Sequence, residues 1–135
     1  MLTILLVLLV LAVFVIQTLL PGRFREPGAP GAPGKLAENI GPRDHQRPLT
    51  VTGQRAARAL ANMHEALPVF IALALMNMIA GTAASMAVTG ALVFLIARVI
   101  YVPLYVFGVS GIRSLVWFGG WIGLIMMLIP LLDRI

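Results

Sequence analysis

Cysteine is missing from the chain altogether. That excludes a disulfide framework and any Cys-ligated metal site. A thiol that takes part in chemistry here has to arrive on a bound molecule. Charge is scarce as well. Only 11% of the 135 residues are Asp, Glu, Lys or Arg, against roughly 25% in soluble domains. Hydrophobic residues make up 60%. A short chain of one domain cannot hide that much apolar surface in a water-facing globule, so its natural solvent is lipid. Acidic residues are fewer than basic ones, which leaves a net charge of +5. Seven of the ten basic residues fall between Arg23 and Arg58, beside apolar runs. That is the distribution of a cytoplasmic membrane loop. No nucleic-acid motif accompanies it, so no nucleic-acid partner is expected.

What is there is a series of long apolar runs. Leu2 to Leu20 carries no charge and is long enough to cross a bilayer core as a helix, which takes about 20 residues. It lacks the basic leader, short apolar core and small-residue cleavage site of a signal peptide, and is predicted to be a retained helix. The pattern predicts an all-α, integral membrane four-helix bundle formed by one domain over residues 1–135. Its spans are residues 2–20, 54–80, 84–107 and 112–132, and a cytoplasmic loop covers 21–53. By the positive-inside rule both termini lie outside. The loop is rich in Pro, Gly and charge. Within it "GAPGAPG" reads as a mobile linker and "GPRDHQRPL" as a solvated turn before the next helix. "GTAAS" and "GVSGIRS" make the remaining turns, and Pro103 bends the third span. In "GGWIG", Gly119 and Gly123 have the spacing of close helix packing. The methionines read as packing or lipid-facing residues.

The charged residues inside the spans are ordered. In "RAARALANMHEALPVF", Arg55, Arg58, Asn62 and Glu65 are spaced by 3, 4 and 3. At about 100° per residue they share one arc of a helix, with His64 opposite. Arg98, Tyr101 and Tyr105, spaced by 3 and 4, form a second stripe on the third span. The two spans run in opposite directions, so Glu65 and Arg98 are predicted to reach similar depth and to pair. Intramembrane charges need a bundle interior or a wet cavity. The stripes can be read as pins between helices, with the tyrosines in an interfacial belt. They can also be read as a polar pocket, open to the cytoplasm, lined by Arg55, Arg58, Asn62, Glu65, Arg98, Tyr101, Tyr105 and Arg113. Arginine outnumbers acid there, and guanidinium groups grip carboxylates bidentately, so the pocket should take an anion. His64 has no second His or Cys beside it, so no metal is expected. His45 and Asp44 have no partner for a nucleophilic triad.

These residues resemble a known family. "RAARALANMHEALPVF" is similar to the R-x-x-R-A-x-x-N-x-x-E-x-x-P-x-F signature of the MAPEG family, the membrane-associated proteins in eicosanoid and glutathione metabolism. "ARVIYVPLY" followed by "IRS" resembles that family's third helix and the start of its fourth. "GPRD" is similar to the bacterial branch, which implies a bacterial inner membrane. The resemblance implies a homotrimer that binds glutathione between subunits near the cytoplasmic side. Arg58, Asn62 and Glu65, with Arg98, Tyr101 and Tyr105, match the residues that hold it. Arg113 and Ser114 match the pair near its sulfur. The chain departs from the pattern in four places. Gln54 stands for a glutamate, Ala66 for a tyrosine and Met63 for a cysteine, and Arg113 is one residue off the spacing in some relatives.

Two functions follow as expectations. The first is a membrane-bound, glutathione-dependent transferase or peroxidase acting on lipophilic electrophiles. Arg113 would stabilise the thiolate, the other arginines would hold carboxylates, and the apolar substrate would arrive from the bilayer. The second is a non-catalytic lipid-binding or scaffolding membrane protein using the same pocket. A four-helix multidrug transporter is disfavoured, because the first span carries only Gln17 and Thr18 where such proteins place an acid.

Overall fold

The computed structural model describes residues 1–42, 46–82 and 85–134, apart from the side chains of Lys35, Asn39 and Ser85. Arg43, Asp44 and His45 lie outside the described residues, and the expectations for them with it. Four long helices form the body: α1 (Leu2–Arg23), α3 (Val51–Ile79), α4 (Ser85–Val106) and α5 (Ile112–Leu132). A short α2 (Lys35–Ile40) lies in the loop between α1 and α3. All four long helices are long and apolar enough to cross a membrane. The protein is a helical membrane bundle.

Each helix is shaped by its sequence. α1 is apolar around its whole circumference and leaves Leu2, Leu8, Ile16 and Leu19 more than half exposed, as a lipid-facing helix should. It continues past Leu20, and its last turn holds Pro21. α3 starts at Val51 because Thr50 caps it. The Thr50 hydroxyl accepts from the Gly53 N–H at 3.2 Å, which satisfies one of the orphan donors of the first turn. α5 starts after Gly111, whose φ is +80°.

The core runs down the middle of the bundle and includes Val10, Met63, Phe70, Phe94, Leu124 and Met127. Phe70 of α3 stacks on Phe94 of α4 at 4.7 Å. The most extensive contact is between α4 and α5, and glycine makes it. A Cβ on Gly123 would come within 2.7 Å of the Gly90 carbonyl oxygen and 2.8 Å of the Phe94 nitrogen. A Cβ on Gly119 would meet nothing. Of the two glycines expected to mark close helix packing, Gly123 does so, against Gly90 of α4, and Gly119 does not within one subunit. Far from the loop, the fully buried Asn77 amide donates to the Leu73 and Met127 carbonyls, both at 2.8 Å, and ties α3 to α5.

The loop has a built base. The Thr50 N–H and hydroxyl both donate to the Phe24 carbonyl, at 2.9 and 3.0 Å. Arg25 and Leu49 form an isolated antiparallel bridge, and the Arg25 guanidinium donates to the Gln46 amide oxygen at 2.7 Å. Arg47 and Glu38 pair at 2.6 Å. The ends of α1 and α3 are thus fastened together. "GAPGAPG" remains exposed at the outer edge.

Candidate functional site

α3 and α5 begin, and α4 ends, on the side of the long loop. The polar stripes therefore gather at one end of the bundle. A cleft of about 330 Å³ opens there, lined by Asn62 of α3, Tyr101 and Tyr105 of α4, and Arg113, Ser114, Trp117 and Phe118 of α5. The Arg113 guanidinium stands over the Tyr105 ring, 4.5 Å from its centre. Tyr105 in turn meets Tyr101 edge to face at 5.3 Å. The turn between α4 and α5 makes this return. Gly108 and Gly111 have φ of +75° and +80°, a conformation other residues resist.

Arg98 lies beneath the tyrosines. Only 1% of it is exposed. Its guanidinium packs against the Phe94 and Tyr101 rings, 4.9 and 5.7 Å from their centres. Gly120 of α5 lies beside it. Its Nε and Nη2 have no hydrogen-bond partner. A buried charge in this state is expensive, and the orphaned donors are what a carboxylate would satisfy.

The α3 stripe divides. Arg55 packs against Gly108 and Asn62 faces the cleft, with its amide donating to the Arg58 carbonyl at 3.1 Å. Arg58 and Glu65 are exposed. Helical geometry explains the split. Arg55 and Asn62 lie about 20° apart round α3, while Arg58 and Glu65 are turned roughly 60° further from α4. The predicted Glu65–Arg98 pair does not form within one subunit. Arg47 and Glu38 do form an ion pair, in the loop. Of the eight residues expected to line one pocket, four line this cleft within a single subunit. Asn62, Tyr101, Tyr105 and Arg113 line the cleft with Ser114, whereas Arg55, Arg58, Glu65 and Arg98 do not. Trp117 and Phe118 complete the wall without having been expected. Trp117 follows Arg113 by four residues, on the same helix face, and that spacing was the available signal.

His64 lies apart from the cleft. Its Nδ1 is hydrogen-bonded to the Leu60 carbonyl at 3.0 Å, and its ring meets Phe14 of α1 edge-on at 5.1 Å. Two larger hollows occur near the loop, of about 440 Å³ beside Thr18, Arg25 and Gln46 and about 530 Å³ beside Glu38 and Arg47. There Arg25 donates to Gln46, Arg47 pairs with Glu38 and the Thr18 hydroxyl donates to the Val15 carbonyl, while Arg25 Nε and Glu38 Oε2 have no hydrogen-bond partner. The smaller cleft is the better candidate because it brings Asn62, Tyr101, Tyr105, Arg113 and Ser114, from three helices, to one opening.

The family model of the MAPEG family matches residues 2–132. The chain belongs to the MAPEG family. No curated protein and no solved structure matches the chain. Membership in MAPEG suggests a glutathione-related membrane function. It also bears on the architecture, since this family is one of helical membrane bundles, as the four long apolar helices are here.

Proposed function

We propose that this MAPEG protein is a membrane-bound, glutathione-dependent transferase or peroxidase acting on lipophilic electrophiles, and that it works as a homotrimer. The observation that carries the reading is Arg113, held over Tyr105 at the mouth of the cleft beside Ser114. A free thiol has a pKa of about 8.5, and a neighbouring cation lowers it. Arg113 is the second residue of α5, where the positive end of the helix dipole adds to its own charge. A sulfur placed there is favoured as thiolate. The orphaned donors of Arg98 suit one of glutathione's carboxylates. Arg58 and Glu65, exposed on the outer edge of α3, suit a site completed between subunits, with Arg58 on a carboxylate and Glu65 on the amine. Arg55, Asn62, Tyr101 and Tyr105 would position the ligand. Trp117 and Phe118 offer an apolar wall on which a lipophile from the bilayer could meet the sulfur, and holding both together supplies proximity. In conjugation the thiolate bonds to the electrophilic carbon and the leaving group departs with its electron pair. The basic loop and Arg113 share one side, which the positive-inside rule puts in the cytoplasm, with both termini across a bacterial inner membrane.

The deciding experiment is a glutathione titration of the detergent-purified protein, followed through the thiolate's ultraviolet absorbance. Arg113→Ala should abolish that absorbance and cut conjugation sharply while weakening binding only modestly. Arg58→Ala should do the reverse. Glutathione binding with no thiolate at any pH between about 6 and 8, where an unperturbed thiol of pKa about 8.5 stays mostly protonated, would instead favour the non-catalytic lipid-binding or scaffolding reading.

A further inference from the structure

The loop carries apolar surface that the bundle does not use. Leu36 and Ile40 lie in α2 and are 72% and 77% exposed. Four residues apart, they sit about 40° from each other round the helix, with Glu38 about 160° from both. That opposite side is fixed to the rest of the loop. Glu38 pairs with Arg47 at 2.6 Å, and its side chain is only 9% exposed. Arg47 also donates to the Pro33 carbonyl at 3.3 Å. Ala37 and Glu38 help to wall the hollow of about 530 Å³ beside the ion pair, whereas Leu36 and Ile40 do not. The polar edge of α2 is thus held inward and its aliphatic edge faces out.

α2 has only six residues. Isolated helices shorter than about 12–15 residues are marginal in water, and packing of an amphipathic face usually supplies what they lack. Here only the polar edge is packed. The place of α2 in the chain says what lies beside the other edge. It belongs to the connection between α1 and α3, two helices long and apolar enough to cross a membrane. That connection is tied off where it leaves them, by the Thr50–Phe24 bonds and by the Glu26 N–H, which donates to the Pro48 carbonyl at 3.0 Å. α2 also packs against α1. Charge points the same way. Between Arg23 and Arg58 seven basic residues stand against three acidic ones, a surplus that draws a segment next to a membrane span towards anionic lipid headgroups.

We infer that α2 is an interfacial anchor, lying along the bilayer surface with Leu36 and Ile40 set among the headgroups and upper acyl chains of the adjacent leaflet. A helix with one aliphatic edge and one polar edge takes this position at a membrane. Lipid covers the edge that the chain leaves bare, and the Glu38–Arg47 pair stays on the side away from lipid. The anchor holds the loop down beside the ends of α1 and α3. It requires only that these two helices cross a bilayer, so it is independent of glutathione and of catalysis.

The chain has no cysteine, so a single introduced one can carry a nitroxide spin label without background. Leu36→Cys, Ile40→Cys and, at an exposed loop position, Ala32→Cys are labelled in the full chain. Each is reconstituted into vesicles of phosphatidylcholine and phosphatidylglycerol. Power saturation then compares collisions with oxygen, which concentrates in the bilayer, and with a neutral nickel chelate, which stays in water. At positions 36 and 40 the label should gain oxygen collisions and lose nickel collisions relative to position 32. Either position decides if the other variant fails to fold. Labels at 36 and 40 as open to nickel as the label at 32 would mean that this edge faces water, and overturn the inference. Shielding from both reagents overturns it too, because a second copy or another protein, rather than lipid, would then cover α2.

Discussion

The Arg113 guanidinium lies 4.5 Å from the centre of the Tyr105 ring, and that contact rather than an ion pair orients it. A cation over an aromatic face gains about 0.5–2 kcal/mol, more as water is excluded. Tyr105→Phe keeps the ring and should retain most of the thiolate signal, whereas Tyr105→Leu should lose it together with the conjugation rate. If both substitutions lose the signal, it is the tyrosine hydroxyl that matters, and if both keep it the orienting role of the ring is wrong. Arg98 poses the opposite problem, a buried cation with two unpartnered nitrogens. Replacing buried charges by apolar groups is often neutral or stabilising by about 1–4 kcal/mol. Arg98→Leu should therefore leave the ligand-free protein at least as resistant to heat as wild type, while the extra stability conferred by glutathione, which follows ligand concentration over Kd, disappears. A marked fall in the Tm of the ligand-free variant would mean that a neighbouring subunit already satisfies Arg98.

Among the elements, the α4–α5 pair carries the site, since Tyr101 and Tyr105 come from one and Arg113, Ser114 and Trp117 from the other. Their separation is set by Gly90 and Gly123. Overpacking a tight contact costs about 1–3 kcal/mol, so Gly123→Ala should lower thermal stability and disturb the cleft together. Gly119→Ala, where a Cβ meets nothing, should change neither if that face is free. A thermal scan of the two purified variants checks this, and a loss confined to Gly119→Ala would place the tight helix contact on the wrong glycine. The turn after α4 works with this pair. Gly108 and Gly111 allow the sharp return that sets Arg113 above Tyr105, and Arg55 packs on Gly108 from α3.

At the level of the whole molecule, Glu65 is the residue that a single subunit leaves unaccounted for. It is exposed, about 21 Å along α3 from Val51 at 1.5 Å per residue. A carboxylate facing lipid at mid-span costs roughly 2.5–3.5 kcal/mol on insertion scales. A second copy covering the Arg58–Glu65 edge removes that cost, which is the physical case for a trimer with shared sites. Native mass spectrometry from mild detergent should show trimers for wild type and weakened assembly for Glu65→Ala. Monomers throughout would contradict the proposal.

Much of this was legible in the chain before any tertiary contact was known. Apolar runs of the right length dictate four spans, because a helix crossing lipid must satisfy its own backbone and shed its charges. The spacing of Arg55, Arg58, Asn62 and Glu65 dictates a shared arc, because the helix repeat is fixed at about 3.6 residues. Sequence did not decide how each stripe was divided. An arc of roughly 80° is wide enough for one edge to meet a neighbour while the other faces away, and only the packing of α3 on α4 sent Asn62 inward and Glu65 outward. The same holds for Arg98, whose partners are the Phe94 and Tyr101 rings rather than the acid at comparable depth. The built base of the loop was equally hidden, since its Pro and Gly content describes what the backbone permits, while the Arg25–Gln46 and Thr50–Phe24 bonds depend on where α1 ends and α3 begins. Periodicity specifies faces. Which face meets which is settled by the shapes that close the bundle, here Gly90 against Gly123.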